Sequence, residues 1–390
     1  MITVWLSLVL LCSLGQVNAA YAPLRSYEGA TFFDGWSFYG NVDNTTWGNV
    51  TYLNEADAFA RELVYVNDAG NAIIKVDNTT TLSDGPGVIN RDSVRLTTND
   101  AYGLGTLIVI DAVHIPYGCS VWPSFWSYGR QVEWPGAGEI DLIEGINGMT
   151  FNQVALHTTP GCIKLAEASV QSGSTIEGDC STNRGCIVAE RKPNSYGPAF
   201  AAAGGGVFAL QMEATGFYVW FFSRPDLPAN LRNPSPTSVL DIESWGLPTA
   251  AYPPNECVFA DFFQPQSFIL LTTLCGVWAG SPSLYSETCP GTCFASNILG
   301  DGSNYANAYW EVQYVRAYRN DELLSDDPPS SSGGPVVTET VWVSPAETVT
   351  VIADSRGAGS SPPSSAGSFA IIPSALVSLL LLASALFQAP

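Results

Sequence analysis

The sequence predicts an all-β fold in which two β-sheets pack against each other. Short apolar or alternating runs recur along the chain between turn-forming residues, as they do in the strands of a β-sandwich. The chain contains 36 glycines and 26 prolines, and no window keeps an amphipathic helical period over a long stretch. Because each sheet must cover its apolar face, a second sheet is the natural covering layer in a chain without long helices.

Seven runs have the composition of strands. They are residues 93–97, 105–113, 152–158, 207–213, 217–222, 268–274 and 309–318. The fourth and fifth runs are separated by Ala214, Thr215 and Gly216, a spacing that predicts a β-hairpin. Together the runs lie in one body, residues 21–320, which is long for a single domain but usual for a large β-sandwich.

The N-terminus has the pattern of a secretory signal peptide over residues 1–20. An apolar run precedes small residues, and cleavage after Ala19 or Ala20 fits this pattern best, although the usual basic residues are missing. An uncleaved membrane anchor is the alternative, which the shortness of the run disfavours.

The C-terminus has a second processing pattern. Residues 321–368 are rich in Ser, Thr, Pro and acids and resemble an extended stalk, in which residues 336–343 alternate like a local strand. Residues 369–390 are almost wholly apolar, with no Lys or Arg after them, and small residues and a polar spacer precede them. This layout is typical of a glycosylphosphatidylinositol (GPI) signal, with an ordinary tail-anchoring helix as the alternative. We expect a protein at the cell surface or cell wall that contacts the membrane only through a lipid anchor.

The cysteines also indicate an extracellular protein. Of nine cysteines, Cys12 lies in the predicted signal peptide, and the remaining even number suggests disulfides. Zinc is the alternative, but no second cysteine pair or histidine lies at a suitable spacing from Cys289 and Cys293. Three N-glycosylation sequons begin at Asn44, Asn49 and Asn78.

The charge balance argues against nucleic acid as a partner. The net charge is −21, so no basic stripe could neutralise phosphates. Charged residues make up 13% of the chain and aromatic residues 12%. A neutral ligand that stacks on rings, such as a sugar polymer, suits this balance.

The most informative pattern is a row of acids between residues 139 and 144. In a strand, Glu139 and Asp141 share one face. Strict alternation would turn Glu144 away, whereas a β-bulge between Asp141 and Glu144 would return it to the acidic face. We therefore predict three carboxyl groups in a row on one concave surface. Taken alone, such a row is more often a solvated face.

Such a row suits glycoside hydrolysis, which needs one carboxylate as nucleophile and a second carboxyl as general acid and base. Retaining enzymes hold the two groups ~5–5.5 Å apart and inverting enzymes ~6.5–9.5 Å apart. On a bulged strand, the α-carbons of Glu139 and Glu144 lie on the order of 13 Å apart, which leaves the stereochemistry open. Asp141 between them can help to hold the two pKa values apart.

Residues 139–144 match the bulged E-x-D-x-x-E signature of glycoside hydrolase family 16, and the chain resembles the laminarinase-type endo-β-1,3(4)-glucanases of that family. The resemblance extends through residues 31–39, 119–126, 152–158, 272–280 and 308–312. It implies a concanavalin-like β-jelly-roll sandwich of two antiparallel sheets, with a glucan cleft across the concave sheet and residues 21–320 as the catalytic domain.

The resemblance also implies roles for the acids. Glu139 would be the nucleophile of a retaining reaction, Glu144 the general acid/base, and Asp141 the acid that assists the nucleophile. No cofactor or metal is implied, the binding partner would be a β-glucan, and we expect a monomer.

Aromatic residues carry over in the same way. Trp126 and Trp134 match positions that line sugar subsites, and His157 matches a cleft histidine near the scissile bond; core packing is the alternative for each. For Trp122 and Trp278, packing in the core or at the rim is expected, and for His114 packing in the core.

Residues 43–48 depart from the family pattern. Many fungal relatives carry Asp-Pro-Thr-x-Gly, whereas this chain has Asp-Asn-Thr-Thr-Trp-Gly, which adds a glycosylation site near one cleft edge. Charged residues in the loop 127–133 are a second difference, and linkage preference stays open.

Two other functions are consistent with parts of the sequence. One is a wall-remodelling transglycosylase, although those relatives generally carry the unbulged E-x-D-x-E strand. The other is a non-catalytic glucan-binding wall protein, which the mutual repulsion of clustered carboxyls disfavours.

Overall fold

The computed structural model describes residues 20–165, 169–254 and 257–320, and these ranges are predominantly β-structure. The strands are β1 Ala20–Glu28, β2 Trp36–Phe38, β3 Val50–Tyr52, β4 Val64–Val66, β5 Ala72–Lys75, β6 Arg91–Ser93, β7 Arg95–Thr98, β8 Thr106–His114, β9 Val121–Gly129, β10 Glu139–Glu144, β11 Gln153–His157, β12 Ser174–Thr175, β13 Cys186–Ala189, β14 Gly206–Glu213, β15 Gly216–Ser223, β16 Leu240–Asp241, β17 Ala250–Tyr252, β18 Gln266–Leu274 and β19 Tyr309–Asn320. The helices are short: α1 Glu55–Ala60, α2 Gly197–Ala202, α3 Phe259–Phe262, α4 Gly276–Ala279 and α5 Pro282–Thr288.

The strands form two large antiparallel sheets. One has nine strands, with the order β16-β1-β19-β8-β14-β15-β17 and β5 and β4 added beside β19. The other has eight strands in the order β12-β13-β11-β10-β9-β18-β7-β2. A separate pair, β3 and β6, is parallel. The prediction of an all-β protein built from two sheets is therefore confirmed.

The predicted strands agree with these elements. Six of the seven runs each correspond to one strand, and the run 93–97 is divided at Val94 between β6 and β7. The predicted hairpin is formed by β14 and β15, whose last pair joins Glu213 to Gly216.

The main core lies between the two sheets. Phe208 and Leu210 come from the nine-stranded sheet, while Ile140 and Leu156 come from the eight-stranded sheet, and all four are buried in one apolar cluster. Apolar burial of this kind is the dominant favourable contribution to folding. It fixes which face of β10 is turned away from the core.

Four disulfides join the eight remaining cysteines. The pairs are Cys119–Cys289, Cys162–Cys257, Cys180–Cys186 and Cys275–Cys293. The predicted disulfide framework is confirmed, and the zinc alternative is wrong because Cys289 and Cys293 are each bonded to another cysteine. The shortest loop, residues 181–185, is closed by Cys180–Cys186.

The predicted processing segments lie almost entirely outside the described residues. This holds for residues 1–19 of the signal peptide, for the stalk at 321–368 and for the GPI signal at 369–390. Within the described ranges, no helix has the length and apolar composition needed to cross a membrane.

Candidate active site

A cavity of about 580 Å³ lies against the eight-stranded sheet. Its wall contains the three predicted carboxyl groups, those of Glu139, Asp141 and Glu144. Five aromatic side chains line it as well: Trp122, Trp126, Tyr128, Trp134 and Trp278. A concave site of this size with convergent polar groups is the expected form of a binding or active site.

The predicted β-bulge is present in β10. The pairing of β10 with both neighbouring strands shifts between Asp141 and Glu144. Leu142 and Ile143 are both buried in the core between the sheets, so the alternation of faces is interrupted there. Glu144 consequently faces the same cavity as Glu139 and Asp141.

The buried side chain of Asn152 completes the hydrogen bonding at the bulge. Its Oδ1 accepts from the backbone N–H of Glu144 at 2.9 Å, and its Nδ2 donates to the carbonyl of Leu142 at 3.0 Å. The backbone N–H of Asn152 donates to Ser195 Oγ at 3.0 Å. A side-chain amide thus takes the place of a backbone partner that a bulge removes. No sequence pattern indicated this role for Asn152.

Each glutamate accepts a hydrogen bond from an indole. Trp134 Nε1 donates to Glu139 Oε2 at 2.6 Å, and Trp122 Nε1 donates to Glu144 Oε1 at 3.0 Å. Gln153 Nε2 also donates to Glu144 Oε2, at 3.3 Å. Donors of this kind favour the ionised carboxylate and hold it in one orientation.

His157 lies beside the first two acids of the row. Its Nε2 is 3.4 Å from Asp141 Oδ2 and 3.8 Å from Glu139 Oε1. Asp141 Oδ2 is buried and has no hydrogen-bond donor among the described residues. Both features favour the protonated, neutral form of this carboxyl group. One ligand atom from each of the three residues lies within 4.8 Å of the others, a grouping that a cation could also occupy. We assign no metal to it.

The electrostatics separate the three acids. Burial, together with negative charge elsewhere in the acid row, raises the pKa of Glu144 to about 8. Burial also raises the pKa of Glu139 and of Asp141, and repulsion between the pair disfavours a double charge. The indole of Trp134 and the imidazole of His157 work in the opposite direction at Glu139. Trp134 donates to Glu139, whereas Asp141 Oδ2 has no donor among the described residues, so hydrogen bonding favours the charge on Glu139 rather than on Asp141.

The raised pKa of Glu144 predicts a pH-dependent loss of stability. An unfolded Glu has a pKa near ~4.3, so between about pH 4.3 and 8 the folded protein keeps a proton that the unfolded chain has released. The free energy of unfolding therefore falls as the pH rises through this window. Because glutamine cannot ionise, we expect Glu144→Gln to raise the free energy of unfolding at pH 7 by about 1–3 kcal/mol. Denaturant unfolding at pH values between about 4 and 8 measures this free energy.

A matched control is Glu133→Gln, since the side chain of Glu133 is exposed. It should follow the wild-type stability profile across the same pH range. If the free energy of unfolding of Glu144→Gln declined with pH as steeply as that of the wild type, the raised pKa of Glu144 would be contradicted.

Trp126 and Trp134 lie in the cavity wall, as predicted. Trp122, which was expected only to pack, also contacts an acid of the row. Trp126 stacks with Tyr128 at a centroid distance of 5.4 Å, whereas Trp134 contacts Glu139 directly. Trp122 is buried, as expected, but its hydrogen bond to Glu144 was not predicted. Trp278 packs edge-on against Trp122 at 5.3 Å, and it too lines the cavity.

Two further observations concern residues outside the acid row. His114 stacks on Tyr309 at 3.9 Å and does not line the cavity, so it is a packed residue as predicted. Asn183 and Arg184 do line the cavity, on the loop closed by Cys180–Cys186. Neither residue could be predicted, because the sequence left the pairing of the cysteines open.

Comparison with known proteins identifies the family. The XgeA-like catalytic domain of glycoside hydrolase family 16 matches residues 36–318. The chain belongs to glycoside hydrolase family 16. The predicted family and the predicted enzyme class, a glycoside hydrolase, are therefore confirmed.

Two of the similar curated proteins come from fungi. A probable glycosidase of Schizosaccharomyces pombe is 36% identical over 306 residues, covering 77% of this chain and 69% of that protein. A probable endo-1,3(4)-β-glucanase of Neosartorya fischeri is 36% identical over 315 residues, covering 77% of this chain but only 46% of that protein. The chain thus spans about half the length of the second relative.

Solved structures of the family have the same fold. Laminarinase 16A from Phanerochaete chrysosporium, with β-glucans in its donor and acceptor sites, is 34% identical, with a TM-score of 0.71 and coverage of 77% of this chain and 100% of that one. An elongating family 16 β-1,3-glucosyltransferase is also 34% identical, with a TM-score of 0.69 and coverage of 76% and 99%. The predicted jelly-roll sandwich is therefore confirmed.

Proposed function

We propose that the protein is a retaining endo-hydrolase of β-1,3(4)-glucan that works by double displacement. The observation that carries the proposal is the acid row on β10, where two glutamates flank a buried aspartate and each accepts an indole hydrogen bond. The similarity to proteins named endo-1,3(4)-β-glucanase and laminarinase supports β-glucan as the substrate.

In the first step, the ionised carboxylate of Glu139 attacks the anomeric carbon and forms a covalent glycosyl-enzyme. The carboxyl of Glu144 gives its proton to the departing glycosidic oxygen, which leaves as a sugar hydroxyl. A pKa of Glu144 near 8 keeps this proton available at neutral and mildly acidic pH. In the second step, the carboxylate of Glu144 takes a proton from water, and the water oxygen displaces Glu139 from the sugar.

Asp141 makes the charge on Glu139 tolerable. Two adjacent buried carboxyl groups resist double ionisation, and the indole that donates to Glu139 favours the charge there, so Asp141, whose Oδ2 has no donor among the described residues, retains the proton. His157 lies close to both groups and can balance charge as the nucleophile bonds to the sugar and leaves it again. The indole of Trp134 fixes the rotamer of Glu139 beneath the sugar.

A second function has its own support. Because the glycosyl-enzyme can react with a sugar hydroxyl instead of water, the same residues could elongate or graft glucan chains. The similarity to an elongating β-1,3-glucosyltransferase favours this reading as the alternative.

One assay separates the candidates. Purified protein is incubated with laminarin, with and without an acceptor oligosaccharide, and products are followed by mass spectrometry and by proton NMR of the first anomer released. We expect short oligosaccharides released in the β-configuration. Products longer than the donor, formed only with acceptor, would favour the transferase. Binding without any product would contradict both proposals.

We also propose that the enzyme acts outside the cell and is held at its surface by a GPI anchor. The four disulfides support an oxidising compartment. We expect a phosphatidylinositol-specific phospholipase to release the full-length protein from membranes of a eukaryotic host. Peptides from residues 369–390 in the mature membrane-bound protein would contradict the anchor.

A further inference from the structure

Trp47 combines two unfavourable features at the edge of the cavity. Its side chain is 71% exposed, the second most exposed among the large apolar residues described. Its backbone φ is 55°, in the left-handed region that bulky side chains rarely adopt. An exposed apolar residue alone needs no explanation, but a tryptophan that is both exposed and held in a strained backbone conformation beside a cavity favours a functional role.

The loop that carries Trp47, residues 43–48, is held rigidly. The buried carboxylate of Asp43 accepts from the backbone N–H groups of Thr45, Thr46 and Gly48 at 3.0, 3.1 and 3.1 Å. It also accepts from the hydroxyl of Thr273 on β18 at 2.7 Å. Although burial opposes ionisation, these donors lower the pKa of Asp43 below its ordinary value. The loop is therefore fastened to the sheet that carries the acids.

The same loop is continuous with the cavity wall. Thr45 and Thr46 line the cavity, and the carbonyl of Thr46 accepts from the backbone N–H of Val277 at 2.9 Å. Val277 lines the cavity too and is 63% exposed. The guanidinium of Arg95 lies 5.5 Å from the ring of Trp126 and reaches the hydroxyl of Thr45 at 3.5 Å. Trp47 thus stands just beyond the lined end of the cavity.

The strand order shows on which side of the acid row residues 43–48 lie. The acids lie on β10, near the middle of the eight-stranded sheet, whereas Thr273 and Arg95 lie on β18 and β7 toward one edge. The loop residues Asn183 and Arg184 precede β13, toward the opposite edge. If a polymer lies across the sheet and is cleaved at β10, several sugar units separate the cleaved bond from residues 43–48.

We propose that Trp47 is a stacking platform for a neutral pyranose ring of a glucan chain that extends beyond the cavity. The inference rests on the proposed function and adds a distal subsite to it. A pyranose presents an apolar C–H face, and an indole offers a large rigid apolar face at little cost in side-chain entropy. The anchored loop fixes the backbone at Trp47 before the polymer binds, which lowers the ordering cost of binding.

The test compares the wild-type full-length protein with Trp47→Gly, Trp47→Phe and Glu62→Gly after enzymatic removal of N-glycans. Glycine is chosen because it adopts a φ of 55° without strain, so the fold is not put at risk. Glu62→Gly is the matched control, since Glu62 is also exposed, has a φ of 54° and does not line the cavity. The kcat/KM values are measured on linear β-1,3-gluco-oligosaccharides of increasing length, and the laminarin Kd by calorimetry.

For Trp47→Gly we expect the ratio of kcat/KM on long oligosaccharides to that on the shortest cleaved one to fall about tenfold, with the loss in KM. The laminarin Kd should rise by about the same factor. Trp47→Phe should recover most of both effects, and Glu62→Gly should behave as wild type. An equal effect on short and long substrates, or an unchanged laminarin Kd, would overturn the platform. If the wild type fails to cleave laminarin, the proposed function fails, and the Kd comparison still decides on Trp47.

Discussion

Glu139→Gln lowers kcat/KM on laminarin by about 10⁴-fold or more, because the amide cannot form the glycosyl-enzyme on which double displacement depends. The fold should be kept, since the amide still accepts the hydrogen bond from Trp134 Nε1. Laminarin binding is expected to stay within a few-fold of the wild type. Initial rates, circular dichroism and calorimetry on the same preparation measure the three quantities.

Azide rescue of a variant with a smaller side chain at position 139 tests whether Glu139 is the nucleophile. In Glu139→Gly, azide can enter the vacated space and displace an activated aryl leaving group once, giving an α-glycosyl azide with inverted configuration. Glu133→Gln, outside the acid row, should retain full activity. Wild-type rates in Glu139→Gln would remove Glu139 from the nucleophile's role.

Glu144→Ala has the second largest effect, a fall of about 10³-fold on laminarin, within the range of general acid–base catalysis. The loss depends on the leaving group. An activated aryl β-glycoside leaves without a proton, so formation of the glycosyl-enzyme stays fast and its hydrolysis becomes slow. A burst of released aryl alcohol followed by a slow steady state is the expected kinetic signature.

Azide again identifies the residue. In Glu144→Ala it attacks the glycosyl-enzyme held by Glu139, so two displacements occur and the product is a β-glycosyl azide with retained configuration. The opposite anomers from the two variants therefore distinguish nucleophile from acid/base. An α-azide from Glu144→Ala, or an equal loss on aryl and natural substrates, would contradict the assignment.

The acid row could be predicted because local periodicity determines it. Glu139 and Asp141 share a face in any strand, and only a bulge can bring Glu144 to the same face, so the sequence implied the irregularity itself. The strands were predictable for the same reason. Alternating apolar residues indicate that one face of a strand is buried, and in the structure that face packs in the core between the sheets.

The contacts that tune the acids could not be predicted. Trp122 reaches Glu144 through the register between β9 and β10, in which Glu144 pairs with Ser124, and no local pattern encodes that register. Asn152 acts through a side chain that imitates a backbone partner, eight residues after Glu144. Cysteine spacing likewise did not reveal that one bond closes a short loop at the cavity.

The position of the last described strand has a consequence for biosynthesis. β19 lies between β1 and β8 within the nine-stranded sheet, and it also pairs with β5. A ribosome makes about 5–20 residues per second from the N-terminus, so β1 and β8 exist for many seconds before their common partner is synthesised. During that time both expose unpaired edges that can capture other chains. The nascent domain is therefore open to mispairing until β19 emerges, and chains truncated before Tyr309 should aggregate rather than fold.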